Sequence, residues 1–239
     1  MGLAALEDEI THCRRCPRLV AWREEVARVK RAAFASETYW GRPIPGFGDP
    51  GARVVVLGLA PAAHGGNRTG RVFTGDRSAD FLYASLHRTG FANQPVSVSR
   101  DDGLRVTGAW VTAAVRCAPP ENKPTPQERD RCISTWMVPE LRLLENVRVV
   151  VCLGAFAWDA ALRVRAAMPG GDPLPRPKPR FGHAVELEGR PWTLLGCFHP
   201  SPHNTVTGVL TPPMMDAALE RARALATAPE VRAGARRRA

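Results

Sequence analysis

Arg53-Val54-Val55-Val56-Leu57-Gly58, running straight into Leu59-Ala60-Pro61-Ala62-Ala63-His64-Gly65-Gly66-Asn67-Arg68-Thr69-Gly70, decides the fold of this chain. The first half is continuously apolar and mostly β-branched, as a strand is when both faces of a parallel sheet are covered. The second half carries too much glycine and proline to continue a strand. Working outward, three more stretches share the apolar character, at 110–115, 147–153 and 192–198. Helical patterns occupy 78–89, 126–144 and 156–167, and a last one covers 214–226. Strands alternating with helices predict an α/β fold: three layers, α/β/α, around a central, mostly parallel four-stranded sheet. Pro43, Pro45, Gly46, Gly48, Pro50 and Gly51 read as an irregular approach to the first strand, and residues 169–182, with five prolines, as a surface excursion.

A length of 239 residues with 44% hydrophobic content can fill a sizeable core. No internal repeat or domain boundary is evident, so one domain is expected over 1–226, followed by a basic, disordered tail at 227–239. No stretch is long and apolar enough to span a membrane, and the N-terminus lacks a signal peptide's apolar core. Six cysteines without an export signal then fit a reducing cytoplasm better than a disulfide framework. The net charge of +10 favours a polyanionic partner, though charge serves solubility as readily. Only Lys30, Lys123 and Lys178 are lysine, so the basic side is almost all arginine, whose fork grips phosphate bidentately.

The cysteines divide into two groups. Cys13 and Cys16 form a Cys-x-x-Cys in the polar stretch Thr11-His12-Cys13-Arg14-Arg15-Cys16-Pro17. Cys117 follows the second apolar run, and Cys132 falls in a helical segment. Two thiolates three residues apart can share a metal centre, and two more from distant elements complete a four-sulfur set. Iron–sulfur and zinc both suit such a set, and spacing does not separate them. A structural role as inert apolar cysteines is the competing reading. Cys152 and Cys197 sit within apolar runs and read as core.

In open α/β sheets, ligands collect beyond the carboxyl ends of the strands. Three unusual loops belong there: 58–76; Cys117-Ala118-Pro119-Pro120-Glu121-Asn122-Lys123-Pro124-Thr125; and His199-Pro200-Ser201-Pro202-His203-Asn204-Thr205. The first matches neither a Walker A loop nor the dinucleotide fingerprint. Taken together, the loops and the four cysteines resemble the iron–sulfur branch of the uracil-DNA glycosylase superfamily. Gly58-Leu59-Ala60-Pro61-Ala62 with Gly65-Gly66-Asn67-Arg68-Thr69-Gly70-Arg71 is similar to the first motif of its fifth family, type b. His199-Pro200-Ser201-Pro202-His203-Asn204 is similar to the second.

The resemblance implies removal of uracil from DNA by a base-flipping, monofunctional enzyme with water as nucleophile. It also implies a structural [4Fe–4S] cluster on Cys13, Cys16, Cys117 and Cys132, with DNA as partner and no membrane, in a cytoplasmic monomer. His199 is expected to hydrogen-bond the leaving base, because a donor aimed at developing charge lowers the barrier. Phe73 is expected to stack on the flipped base. Asp76 and Asn122 are candidates for orienting water, although Asp76 also suits a helix cap. Gly58, Ala60, Pro61, Ala62, His64 and Asn67 would line the pocket. Ser201 and Asn204, with Thr205, offer donors for phosphate, and Val209 or Leu210 a wedge for the duplex.

Two departures stand out. Ala113 occupies a place where related iron–sulfur glycosylases carry an asparagine, and Leu59 and Ala62 lack the acidic or amide group many use on water. Both fit the type-b branch, whose range includes hypoxanthine and xanthine. Alternatives of other classes are a non-catalytic, metal-stabilised nucleic-acid-binding protein and a redox iron–sulfur protein.

Overall fold

The computed structural model describes residues 2–228; the basic tail from residue 229 onward lies outside the described residues. Its centre is one mixed sheet of six strands: β1 (Phe47–Gly48), β2 (Val54–Gly58), β3 (Ala109–Ala113), β4 (Val149–Leu153), β5 (Glu186–Leu187) and β6 (Thr193–Cys197). Their order is β1-β3-β2-β4-β6-β5, parallel through the middle four and antiparallel at both edges. The four expected strands are those middle four. The sheet has six strands rather than four because two-residue edge pieces leave no periodic signal. β1 hides in the proline- and glycine-rich approach, and β5 follows the proline-rich excursion.

The two faces are covered separately, which explains the continuous apolar runs. Val54 and Val56 of β2, with Val149 and Val151 of β4, pack in one core under α4 (Arg77–Arg88) and α9 (Pro212–Thr227). Val55, Leu57, Val150 and Cys152 face the other core, under α6 (Val138–Leu143) and α7 (Ala155–Ala167). Cys152 and Cys197 are fully buried, as read from their apolar surroundings. A third, smaller core joins α1 (Leu3–Thr11) and α2 (Pro17–Val29) to the sheet through Leu6, Ile10, Leu19, Val115 and Trp136.

The helix expected over 126–144 is broken into three. α5 (Pro126–Cys132) carries a full capping box from Thr125 and Glu128, then a π-helical turn at Ile133–Met137 leads into α6. Pro139 lies one turn on and has no N–H to give Thr135, which accounts for the lost α-helical register. The short α3 (Gly66–Thr69) stops at Gly70, whose φ of +78° suits glycine, and α8 (Pro202–Val206) follows β6. Among the described residues, no helix is long and apolar enough to cross a membrane.

Candidate active site and cysteine centre

The parallel register sets Gly58 beside Ala113 and Leu153 beside Cys197, so the loops leaving β2, β3, β4 and β6 emerge at one edge. Order in the sheet reverses around β2, the crevice position in such folds.

Phe73 is the pivot of this edge. Its backbone is left-handed at φ +47°, costly for an aromatic residue, and its ring lies against the bare backbone of Gly58. A Cβ on Gly58 would come within 2.5 Å of the ring, so glycine is required there. Across from Phe73 stands His199, ring centroids 6.1 Å apart and tilted by 35°. Burial pushes the His199 imidazole down to about 4, so it is neutral at pH 7 and keeps one N–H to donate.

His199 is held from behind. Asn204 Nδ2 donates to the His199 carbonyl at 2.8 Å, and Ser201 caps α8, its hydroxyl accepting from Asn204 N. The Asn204 amide is thereby spent on the loop rather than offered outward. Gly154, at φ +93°, brings the β4 loop against His199, its absent Cβ leaving 3.4 Å to that of the histidine.

Asp76 does cap α4, accepting from Ala79 N at 3.0 Å. Its second oxygen lies against Gly65, where any Cβ would overlap it. Burial raises the Asp76 carboxyl above the usual range. Arg68 braces this loop from inside, donating to His64 O and Gly75 O at 2.8 and 2.9 Å and pairing with Glu37. Pro61 is buried, with Ala60 and Ala62 half-buried, and the Ala62 carbonyl accepts from Asn67 N.

Other expected residues take different places. Asn67 is buried and turns away, its Nδ2 donating to Arg23 O at 3.1 Å. His64 pairs with Tyr39 Oη at 3.0 Å, and burial lowers its pKa. Asn122 is exposed and left-handed at φ +57°, as is Glu121 beside it. Leu210 does not serve as a wedge. It is fully buried in the α4/α9 core, because its N–H bonds the Asn204 carbonyl and turns the chain inward. Val206 and Val209 are the exposed apolar pair, 78% and 43% accessible.

The four cysteines converge. Cys13 and Cys16 occupy the turn between α1 and α2, Cys117 follows β3 and Cys132 ends α5, and together they line one small, partly open cavity. Among the described residues, no three His, Cys, Asp or Glu groups close tightly around a single-ion position.

Donors point at the sulfurs. Arg23 donates to Cys117 at 3.0 Å, Trp136 Nε1 to Cys13 at 3.3 Å, and Arg116 N to Cys132 at 3.3 Å. Burial pushes the Cys117 and Cys132 thiols up to about 11 and about 12, so they hold their protons at pH 7. Arg23 is 2% exposed, its nearest carboxylate, Glu24, is 3.8 Å away, and Glu24 is itself held by Arg14. With neutral thiols the buried guanidinium has only the shared Glu24 carboxylate as counter-charge, whereas thiolates would supply a nearer one. The four cysteines and their donors are thus compatible with metal-bound thiolates.

Arg23 and Trp136 escaped the sequence reading. Arg23 left a signal: with Leu19, Val20 and Val26 it shares the buried face of α2, a charge where only core residues belong. Trp136 acts through the π turn, which no periodicity announced.

A parallel-centred α/β fold with a glycine-rich loop and a half-buried neutral histidine at the strands' carboxyl edge is the arrangement of an α/β enzyme. Residues 45–223 match the Uracil DNA glycosylase superfamily, and the chain belongs to that superfamily. It is 57% identical over 227 residues to the type-5 uracil-DNA glycosylase of Mycobacterium tuberculosis, covering 94% of this chain and 82% of that protein. Against the type-5 uracil-DNA glycosylase of Mycobacterium leprae it is 53% identical, over 94% and 96%. Against that of Thermus thermophilus it is 50% identical, over 95% and 99%.

Proposed function

We propose that this chain is a uracil-DNA glycosylase that hydrolyses the N-glycosidic bond of uracil in DNA, and of other deaminated bases such as hypoxanthine and xanthine. The observation that carries the reading is the meeting of Gly58, Phe73 and His199 at one sheet edge, within a chain of this superfamily.

The target nucleotide leaves the stack, and the Phe73 face supports the extruded base. As the bond breaks, positive charge grows on the sugar and negative charge on the base. Neutral His199 donates its N–H to the departing base, and its low proton affinity means no proton transfer is needed first. Asp76, half-buried and with its pKa raised, accepts from the water that adds to the sugar carbon. The base leaves as its anion, takes a proton from solvent, and an abasic site remains. The only lysine in these loops, Lys123, is exposed and pairs with Glu121, so a water route is favoured over a Schiff base.

Cys13, Cys16, Cys117 and Cys132 would hold a [4Fe–4S] cluster whose contribution is structural. When bound, it ties α1 and α2 to β3 and α5. Its support is the ring of sulfurs about one cavity and the buried Arg23 counter-charge.

The test is base release from oligonucleotides carrying uracil, hypoxanthine, xanthine or thymine, with iron and sulfide assayed on the same anaerobic preparation. Release of uracil with about four irons per chain is expected. No release of any base overturns the catalytic reading, and stoichiometric zinc without iron overturns the cluster.

A further inference from the structure

Trp40 lies half-buried along the first motif, its N–H bonded to Arg68 O and the next residue, Gly41, bonded to Asn67 O. Two guanidiniums lie over its indole: Arg100 at 4.4 Å from the ring centroid and Arg42 at 5.6 Å. Both arginines are exposed, and among the described residues neither has a carboxylate partner within 4.0 Å. Gly70 leaves the room for this stack, since a Cβ there would meet Trp40 and Arg100 at 2.9 Å.

The loop presenting Arg100 is built rather than loose. Asp102 accepts from the backbone of Val98, Ser99 and Leu104 and forms a buried bidentate pair with Arg71. Arg71 also donates to Ser97 Oγ and to the Arg100 carbonyl, while Gly75 N bonds Ser97 O. The segment 71–75 carries Phe73, so the arginine stack and the pocket aromatic share one scaffold.

Two like charges over one ring repel, and among the described residues no carboxylate lies within 4.0 Å of either to offset them. Neighbouring phosphates of one strand, one bound by each, relieve that repulsion. Guanidinium forks match phosphate oxygens bidentately, and stacking on the indole fixes them beforehand, so less freedom is lost on binding.

We infer that Arg42 and Arg100, stacked on Trp40, form a phosphate clamp that grips the backbone of the DNA strand beside the base pocket. The inference rests on the reading that DNA is the substrate. The clamp contributes affinity and register, not chemistry.

The test uses the full chain with its cluster and a fluorescein-labelled undamaged duplex, with anisotropy followed across salt concentrations. Arg42→Gln/Arg100→Gln should weaken binding about tenfold or more at low salt. It should reduce the log–log salt slope by roughly 1.8, the value for two lost phosphate contacts. Its single-turnover rate at saturating enzyme should stay at the wild-type value. Arg53→Gln/Arg105→Gln removes the same charge before the amino ends of β2 and β3 and should leave the slope unchanged. Matching melting curves establish that each variant folds. An unchanged slope in the clamp variant, or an equal fall in the control, overturns the proposal. Failure of base release by the wild-type chain would instead sink the catalytic reading, because the clamp is judged by binding alone.

Discussion

Arg23 donates to the sulfur of Cys117 at 3.0 Å, while its own carbonyl accepts from Asn67 of the first motif at 3.1 Å. One buried residue therefore touches both the cysteine centre and the loop that leaves β2. It makes the N-terminal helices part of the site's scaffold.

Replacing Arg23 with Met keeps the apolar stem and removes the counter-charge. A buried hydrogen bond to a charged group contributes about 1.5–3 kcal/mol, so melting should fall by several degrees. Visible absorbance should also fade faster under a chelator than in wild type. If both measurements match wild type, the Cys117 sulfur does not depend on this donor.

His199→Ala should slow single-turnover excision by about 10²-fold or more, the scale for one lost charge-stabilising donor, with DNA affinity little changed. Asn204→Ala frees the His199 carbonyl and should give a smaller loss with the same affinity, because it loosens the histidine without removing it. A wild-type rate for His199→Ala would move the leaving-group role elsewhere.

Much of this was legible in the residues. The four central strands announce themselves because a strand covered on both faces must be apolar throughout. The grouping of Cys13, Cys16, Cys117 and Cys132 does so through their spacing and polar surroundings, and the fold brings all four around one cavity. What stayed hidden depends on tertiary partners. Asn67 reads like a pocket amide until the α2 carbonyl of Arg23 claims it. Leu210 reads like a wedge until the Asn204 carbonyl turns it inward. The π turn at Ile133–Met137 and the two-residue edge strands carry too few residues to register in any period.

The pH dependence has a definite sign. Burial holds native His199 near 4, against about 6.5 in the unfolded chain. Between those values the unfolded state binds more protons, so stability is fully present above pH 6.5 and declines as pH falls toward 4. Wild type should lose about 2 kcal/mol more than His199→Gln between pH 7 and pH 5. The excision rate should show no His199 inflection between about pH 6 and 8. Its acid limb should follow Asp76, at a pH above that of an ordinary aspartate, and vanish in Asp76→Asn. Equal losses of stability in wild type and His199→Gln would mean that the imidazole stays solvated.

In the proposed reading, base preference turns on Ala113, buried at the end of β3 and paired with Gly58. Its methyl group neither donates nor accepts, so this wall offers the base edge no hydrogen bond. A site built to hydrogen-bond its ligand rejects analogues strongly, whereas an apolar wall rejects them weakly. Hypoxanthine and xanthine should therefore be released along with uracil, within a few orders of magnitude in rate. Ala113→Asn adds an amide beside Gly58 and should narrow release toward uracil, measured as the ratio of single-turnover rates on matched oligonucleotides. Thr112, one residue earlier, gives its hydroxyl to Glu140 in the buried pair with Arg116, so it is not free to read the base instead. Strict uracil specificity in the wild type, with neither purine released on prolonged incubation, would assign the reading to the backbone of the loop from Gly58 to Asp76.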